Sequence, residues 1–133
     1  IGKVVLLSTI DERAELEELS KDRDLLSRTR LEELSCGASH ALIGALLARK
    51  WNFPDILFQA IEKHHTPTLA PKGFEEIVRI VYIANAMADY MDRRQAFFGI
   101  DPGALEYFNL TSEEAFQLTA GALASEYEAA AEE

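Results

Sequence analysis

Chemistry is first suggested by three histidines, His40, His64 and His65. His40 stands at the start of one expected helix and His64-His65 at the end of the next, and helix ends are where side chains converge on a shared pocket. Ile56, Ala60 and His64 recur at i, i+4 and i+8, so His64 faces the way the core faces. A neutral imidazole on such a face can bind a transition metal. The same spacing serves a core histidine bonded to a backbone carbonyl, or an imidazolium at the negative end of a helix dipole. Spacing alone leaves these readings open. Asn85 is the second oddity, since it shares a long helix with Ile77, Val81, Ala84 and Ala88. A buried amide costs about 1–3 kcal/mol unless it is hydrogen-bonded. An aspartate there could hold a hard cation, whereas asparagine offers a neutral carbonyl oxygen, and an amide satisfying neighbouring polar groups is the simpler reading. Glu32 or Glu33 could pair or ligate, but on a charged helix both are expected to be solvated. Cys36 has no basic sequence neighbour to lower its pKa and reads as a buried, inert thiol. Trp51 is expected to pack the elbow between two helices. No glycine-rich phosphate loop, serine nucleophile elbow or paired-cysteine metal motif occurs.

These side chains need helices to position them. Residues 11–35 hold no Pro or Gly, and Leu16, Leu19, Leu25, Leu26, Leu31 and Leu34 fall near helical spacing among charges, which predicts one or two amphipathic helices. Ser20-Lys21-Asp22-Arg23-Asp24 could divide them. Gly37 interrupts the pattern, and Ser39 caps a new helix from His40 to Lys50. Pro54 suits the first position of the next helix and Asp55 the positive end of its dipole. Ile56, Leu57, Ala60 and Ile61 line one face of that helix, which reaches His64-His65. Thr66 to Gly73 is a loop. A long helix follows over 74–94 with Ile77, Ile80, Val81, Ala84 and Ala88 inward. Asp101-Pro102 opens a short helix, and Thr111-x-x-Glu114 is a capping box for the last one, whose tail from Glu126 is expected to fray. Only Val4 to Ile10 reads as strand-like. The expected architecture is all-α over one domain, 1–133.

The 133 residues are the size of one ordinary domain, and 48% hydrophobic content supports a true core. Thirteen basic against 23 acidic residues give a net charge of −10, which disfavours phosphate backbones and hence nucleic-acid partners. A single cysteine excludes an internal disulfide and suits a reducing cytoplasm. The longest apolar run, Ala41 to Ala48, is far short of the roughly 18 residues of a membrane span, and no signal-peptide pattern is present. The chain opens on Ile1 and enters an apolar run at once, so it is expected to be the C-terminal part of a larger domain that exposes apolar surface when isolated.

The stretch from Glu33 to Pro67, with Gly37, His40, Gly44, Ala45, Leu47, Trp51, Pro54, Ala60, Ile61, His64, His65 and Pro67, resembles the HDOD family. That pattern is an acidic residue, a Gly, His-x-x-x-Gly-Ala, a Trp-x-x-Pro elbow and His-His-x-Pro. The likeness extends to Ala84-Asn85 and the turn at Leu110-Thr111-Ser112-Glu113. Ile1-Gly2-Lys3 is similar to the residues that follow the family's signature His-Asp. HDOD domains are all-helical relatives of the HD phosphohydrolases, found in bacterial signalling proteins. The resemblance therefore implies an HD-like helical bundle lacking its N-terminal half.

Departures from the catalytic relatives shape the functional expectation. The HD-GYP phosphodiesterases of cyclic di-GMP carry an Asp where this chain has Asn85, a Glu after His-His where Thr66 stands, and a Gly-Tyr-Pro that is missing. Two-metal hydrolysis needs cations about 4 Å apart that are charge-balanced by carboxylates, and three imidazoles with a neutral amide supply no negative charge. Hard ions such as Mg²⁺ prefer oxygen ligands. The expected function is thus a non-catalytic regulatory domain of a bacterial signalling protein in the cytoplasm. His40, His64, His65 and Asn85 form its ligand pocket, with no cofactor. Its expected partners are signalling proteins, sensor or output domains, or a second copy, and neither nucleic acid nor membrane. The alternative is a metal-dependent HD-type phosphohydrolase, with one divalent transition metal on a vestigial set of His40, His64 and His65 completed by residues outside the chain.

Overall fold

A computed structural model describes residues 2–9 and 28–131. The leucines and the divided charge cluster expected between 11 and 27 lie outside the described residues. Every regular element is helical: α1 (Gly2–Thr9), α2 (Arg28–Cys36), α3 (His40–Lys50), α4 (Asp55–Lys63), α5 (Glu75–Met91), α6 (Pro102–Tyr107) and α7 (Glu113–Ala131). Short 3-10 turns occupy Pro67–Leu69 and Phe97–Gly99, and there is no strand among the described residues. The all-α expectation holds. None of these helices is long and apolar enough to cross a membrane.

The chain divides into two compact units, Ile1–Val78 and Arg79–Glu133, with the division inside α5. In the first unit α3 is the central element, with α1 and α4 packed along it and α2 touching it far less. Here the strand-like reading of Val4 to Ile10 is overturned, because residues 2–9 are helix and Ile10 lies outside the described residues. Valine costs a helix only about 0.5–0.7 kcal/mol relative to alanine. A close helix crossing outweighs that: a Cβ placed on Gly2 would run into the backbone of His40 and Gly44, so glycine lets α1 lie directly on α3.

Helix α3 begins and ends as the spacing predicts. Gly37 adopts φ +73, the left-handed conformation that stops α2, and its N–H bonds Glu33 O at 2.9 Å. Ser39 Oγ accepts from Leu42 N–H, and Arg49 and Lys50 occupy the negative end. At the following elbow Asn52 takes φ 56, and Pro54, at ψ 147, is the N-cap of α4 rather than its first helical residue. Trp51 is half exposed, and its ring lies 6.0 Å from that of Phe53 within the elbow. Helix α4 buries Phe58 and Ala60, while Ile56 and Leu57 are exposed, so only part of its expected inward face is inside. Thr66 to Gly73 is irregular apart from the single 3-10 turn.

In the second unit Ile83, Ala86 and Met87 of α5 meet Ile100, Ala104, Leu105, Leu110, Phe116 and Ala120. Phe116 is fully buried between the edges of Tyr90 and Phe97, at ring separations of 5.4 and 5.7 Å. The stripe expected to face inward on α5 is displaced: Ile80, Ala84 and Ala88 are exposed. At 3.6 residues per turn the observed stripe lies roughly 100° around from the expected one. Helix α5 is apolar around most of its circumference, so periodicity alone does not choose the buried side. The helix also stops at Met91, short of Arg94, because Arg93 takes a left-handed φ of 57. Asp101 caps α6 through its side chain on Ala104 N–H. The cap of α7 is Ser112, bonded to Ala115 N–H at 3.2 Å, one residue after the expected Thr111. The tail expected to fray from Glu126 continues as helix to Ala131.

Candidate functional site

The hairpin of α3 and α4 brings the first turn of one helix to the last turn of the other. His40 is the first residue of α3, His64 is the C-cap of α4 and His65 follows it. His40 is buried and the other two are half-buried. Their Nε2 atoms converge: His40 to His65 is 2.9 Å and His40 to His64 is 3.3 Å. The three histidines therefore form one cluster, with a ligand atom of each within 4.8 Å of the others.

The partners of the Nδ1 atoms decide the tautomers. His40 Nδ1 lies 2.6 Å from Glu32 Oε2, and His64 Nδ1 lies 2.7 Å from the Ile61 carbonyl oxygen. A carboxylate and a carbonyl only accept, so both Nδ1 atoms carry hydrogen when the rings are neutral. Both Nε2 atoms then present lone pairs to the same small space. At 3.3 Å two facing lone pairs repel unless a proton or a cation stands between them. For nitrogens bound about 2.0–2.1 Å from one ion, mutual separations of roughly 2.9–3.4 Å follow from octahedral or tetrahedral angles. The two separations at His40 match that requirement for a single nitrogen-preferring divalent ion, and all three ligand atoms lie within 4.8 Å of one another.

Burial is the main cause that keeps the half-buried rings neutral. It lowers the His64 pKa below the usual histidine value, with the positive potential of His40 and Lys3 acting the same way and the Ile61 bond opposing. His65 is pushed down to about 3, first by burial and then by the neighbouring His64 and His40. Neutral imidazole is the form that ligates metal.

Glu32 is the residue that sequence reasoning misjudged. Expected to be solvated, it is only 5% exposed. Its Oε2 accepts from the His40 backbone N–H at 2.9 Å as well as from Nδ1. One carboxylate oxygen thus satisfies an orphan N–H at the start of α3 and fixes the ring of the same residue. The available signal was the Gly37–Ser39 break, which turns the last turn of α2 back toward His40. Spacing could not tell Glu32 from Glu33, which is exposed and pairs weakly with Arg30 at 3.4 Å. The site therefore does contain an anionic oxygen, contrary to expectation, but it is engaged with His40.

Asn85 belongs to the other unit, where its Nδ2 donates to Asp89 Oδ2 at 3.0 Å, one turn along α5. Asp89 also receives Arg94 Nε at 3.0 Å. Cys36 ends α2, and its side chain lies outside the described part of the chain.

Comparison with known proteins agrees with the motif series. The family model for the HDOD domain matches residues 1–67, the segment that contains α1 to α4 and all three histidines. An uncharacterized protein of Treponema pallidum (strain Nichols) is 30% identical over 130 residues, covering 97% of this chain and 25% of that relative. The chain thus spans a quarter of the length of the relative it matches. No solved structure matches it.

Proposed function

The chain belongs to the HDOD domain family, a signalling-associated class, and from that premise we propose that it is a non-catalytic regulatory domain of a bacterial signalling protein. It works through contacts with other signalling proteins, with sensor or output domains, or with a small ligand at the histidine cluster. The donor set is the observation that carries this reading. Hydrolysis of a phosphodiester by two metals needs a pair of cations roughly 3.5–4 Å apart and charge to balance them. His40, His64 and His65 bring imidazole nitrogens within 4.8 Å of one another. The carboxylate beside them, Glu32, gives its Oε2 to two donors of His40. Such a set supports binding rather than two-metal hydrolysis. The test is turnover of cyclic di-GMP and of nucleotides by the full-length protein with Mn²⁺ or Fe²⁺. No metal-dependent hydrolysis is expected. Hydrolysis that disappears in His64→Ala refutes the proposal and favours an HD-type phosphohydrolase completed by residues outside this chain.

A second reading is favoured by the convergence of the Nε2 atoms: one divalent transition ion held by His40, His64 and His65. When bound, such an ion supplies fixed positive charge and Lewis acidity at the junction of α3 and α4. The three rings would hold it, Glu32 and the Ile61 carbonyl orient two of them, and burial keeps His64 and His65 in the ligating form. Metal analysis of protein purified without chelators is expected to find close to one equivalent of Zn, Fe, Ni or Mn, lost in His40→Ala. Metal-free protein that takes up none of these ions refutes this reading.

A further inference from the structure

We propose that Glu32 is a positioning residue that ties occupancy of the histidine cluster to the seating of α2 on α3. The inference rests on the one-ion reading of the cluster. It starts from what joins α2 to α3 among the described residues. Among the described side chains of α2, Glu32 is the buried one, Thr29 and Leu31 are half-buried, and Arg30, Glu33 and Leu34 are exposed. Helix α2 touches α3 much less than α1 and α4 do. Among the described residues, its buried hold on α3 is a desolvated carboxylate and the hydrogen bonds that carboxylate accepts.

A buried carboxylate is costly unless positive charge or strong donors meet it. Glu32 meets the His40 N–H and the His40 ring. An ion on His40 Nε2 withdraws electron density from the ring, makes Nδ1–H a stronger donor and places positive charge on the far side of the ring. The Glu32 bond then tightens, and α2 with it. In the reverse direction the carboxylate makes Nε2 a better ligand, as carboxylates behind metal-bound histidines do. Thermodynamic linkage makes the two effects equal in size: whatever factor the seated α2 adds to ion affinity, the ion adds to the seating of α2. A partner that pulls on α2 would loosen the ion, and the ion would resist that partner.

The test uses Zn²⁺ with the full-length protein, its Glu32→Gln variant and His65→Ala. Affinity is measured by chelator competition, and amide hydrogen exchange is followed over residues 28–36 with and without the ion. Glutamine keeps the volume and can still accept one hydrogen bond, and circular dichroism verifies its fold. Wild type is expected to bind one Zn²⁺ and to exchange more slowly over 28–36 when loaded. Glu32→Gln is expected to bind about 10–100-fold more weakly and to lose the ion-dependent slowing. His65→Ala, which leaves Glu32 untouched, should lose the slowing as well, and it carries the test if Glu32→Gln fails to fold. A folded Glu32→Gln that binds Zn²⁺ like wild type overturns this inference alone, as does slowing over 28–36 that persists in His65→Ala. A wild-type protein that binds no Zn²⁺ overturns the inference together with the one-ion reading beneath it.

Discussion

Replacing Gly2 by alanine probes the contact that seats α1 on the histidine-bearing helix. The added Cβ would fall deep inside contact distance of the His40 carbonyl oxygen and 2.9 Å from Gly44 N. Both are backbone atoms of α3, so no side-chain rotation relieves the overlap, and α1 must shift or lift. At Gly44 the corresponding Cβ would meet Ile61 Cγ2 at 3.0 Å, the end of a side chain that can turn aside. Overpacking costs typically about 1–3 kcal/mol, and alanine returns about 0.5–1 kcal/mol over glycine within a helix. Gly2→Ala should therefore sit near the upper limit, with a net loss of about 2 kcal/mol. Gly44→Ala should lose about 1 kcal/mol or less. Urea denaturation read at constant m reports both as shifts of the midpoint. If Gly2→Ala lies within about 0.5 kcal/mol of wild type, the range of an ordinary surface change, or costs less than Gly44→Ala, the backbone-on-backbone crossing is wrong.

The second unit should depend on Phe116: Phe116→Ala removes a fully buried ring packed on Tyr90 and Phe97 and should cost about 3–5 kcal/mol in chemical denaturation. Ser39→Ala should cost about 1 kcal/mol by removing the acceptor for Leu42 N–H, measured the same way. Acidification should destabilise the metal-free first unit. The unfolded chain takes up a proton on His65 as pH falls through about 6.5, whereas the folded chain refuses it until about 3. The unfolded state therefore binds more protons across that window, and stability declines from pH 6.5 downward. His64, lowered as well, contributes in the same sense. Denaturation midpoints between pH 7.5 and 5 with chelator present check this, and a flat profile in wild type, or an unchanged slope in His65→Gln, refutes it.

Where local chemistry was unambiguous, the elements were legible in the sequence. Gly37, Ser39 and an apolar run bounded by Arg49-Lys50 leave little choice for α3, and Asp101-Pro102 does the same for α6. Where two choices differ by a few tenths of a kcal/mol, the reading slipped. Thr111 and Ser112 are comparable caps, and the chain uses Ser112. Val4 and Val5 favour a strand by intrinsic preference, yet glycine against backbone permits a helix to pack there. The buried side of α5 was misplaced because its apolar residues surround the axis, and only neighbouring elements select a face.

Composition and spacing by themselves determined an all-α chain and three histidines stationed at helix ends, because helical period and capping act within a few residues. Only tertiary structure decided that the Nε2 atoms meet and that Glu32, not Glu33, stands behind His40. Those outcomes depend on how α2 and α4 lie against α3. Residues eight to 25 positions apart are brought within about 3 Å by packing, which local spacing does not encode.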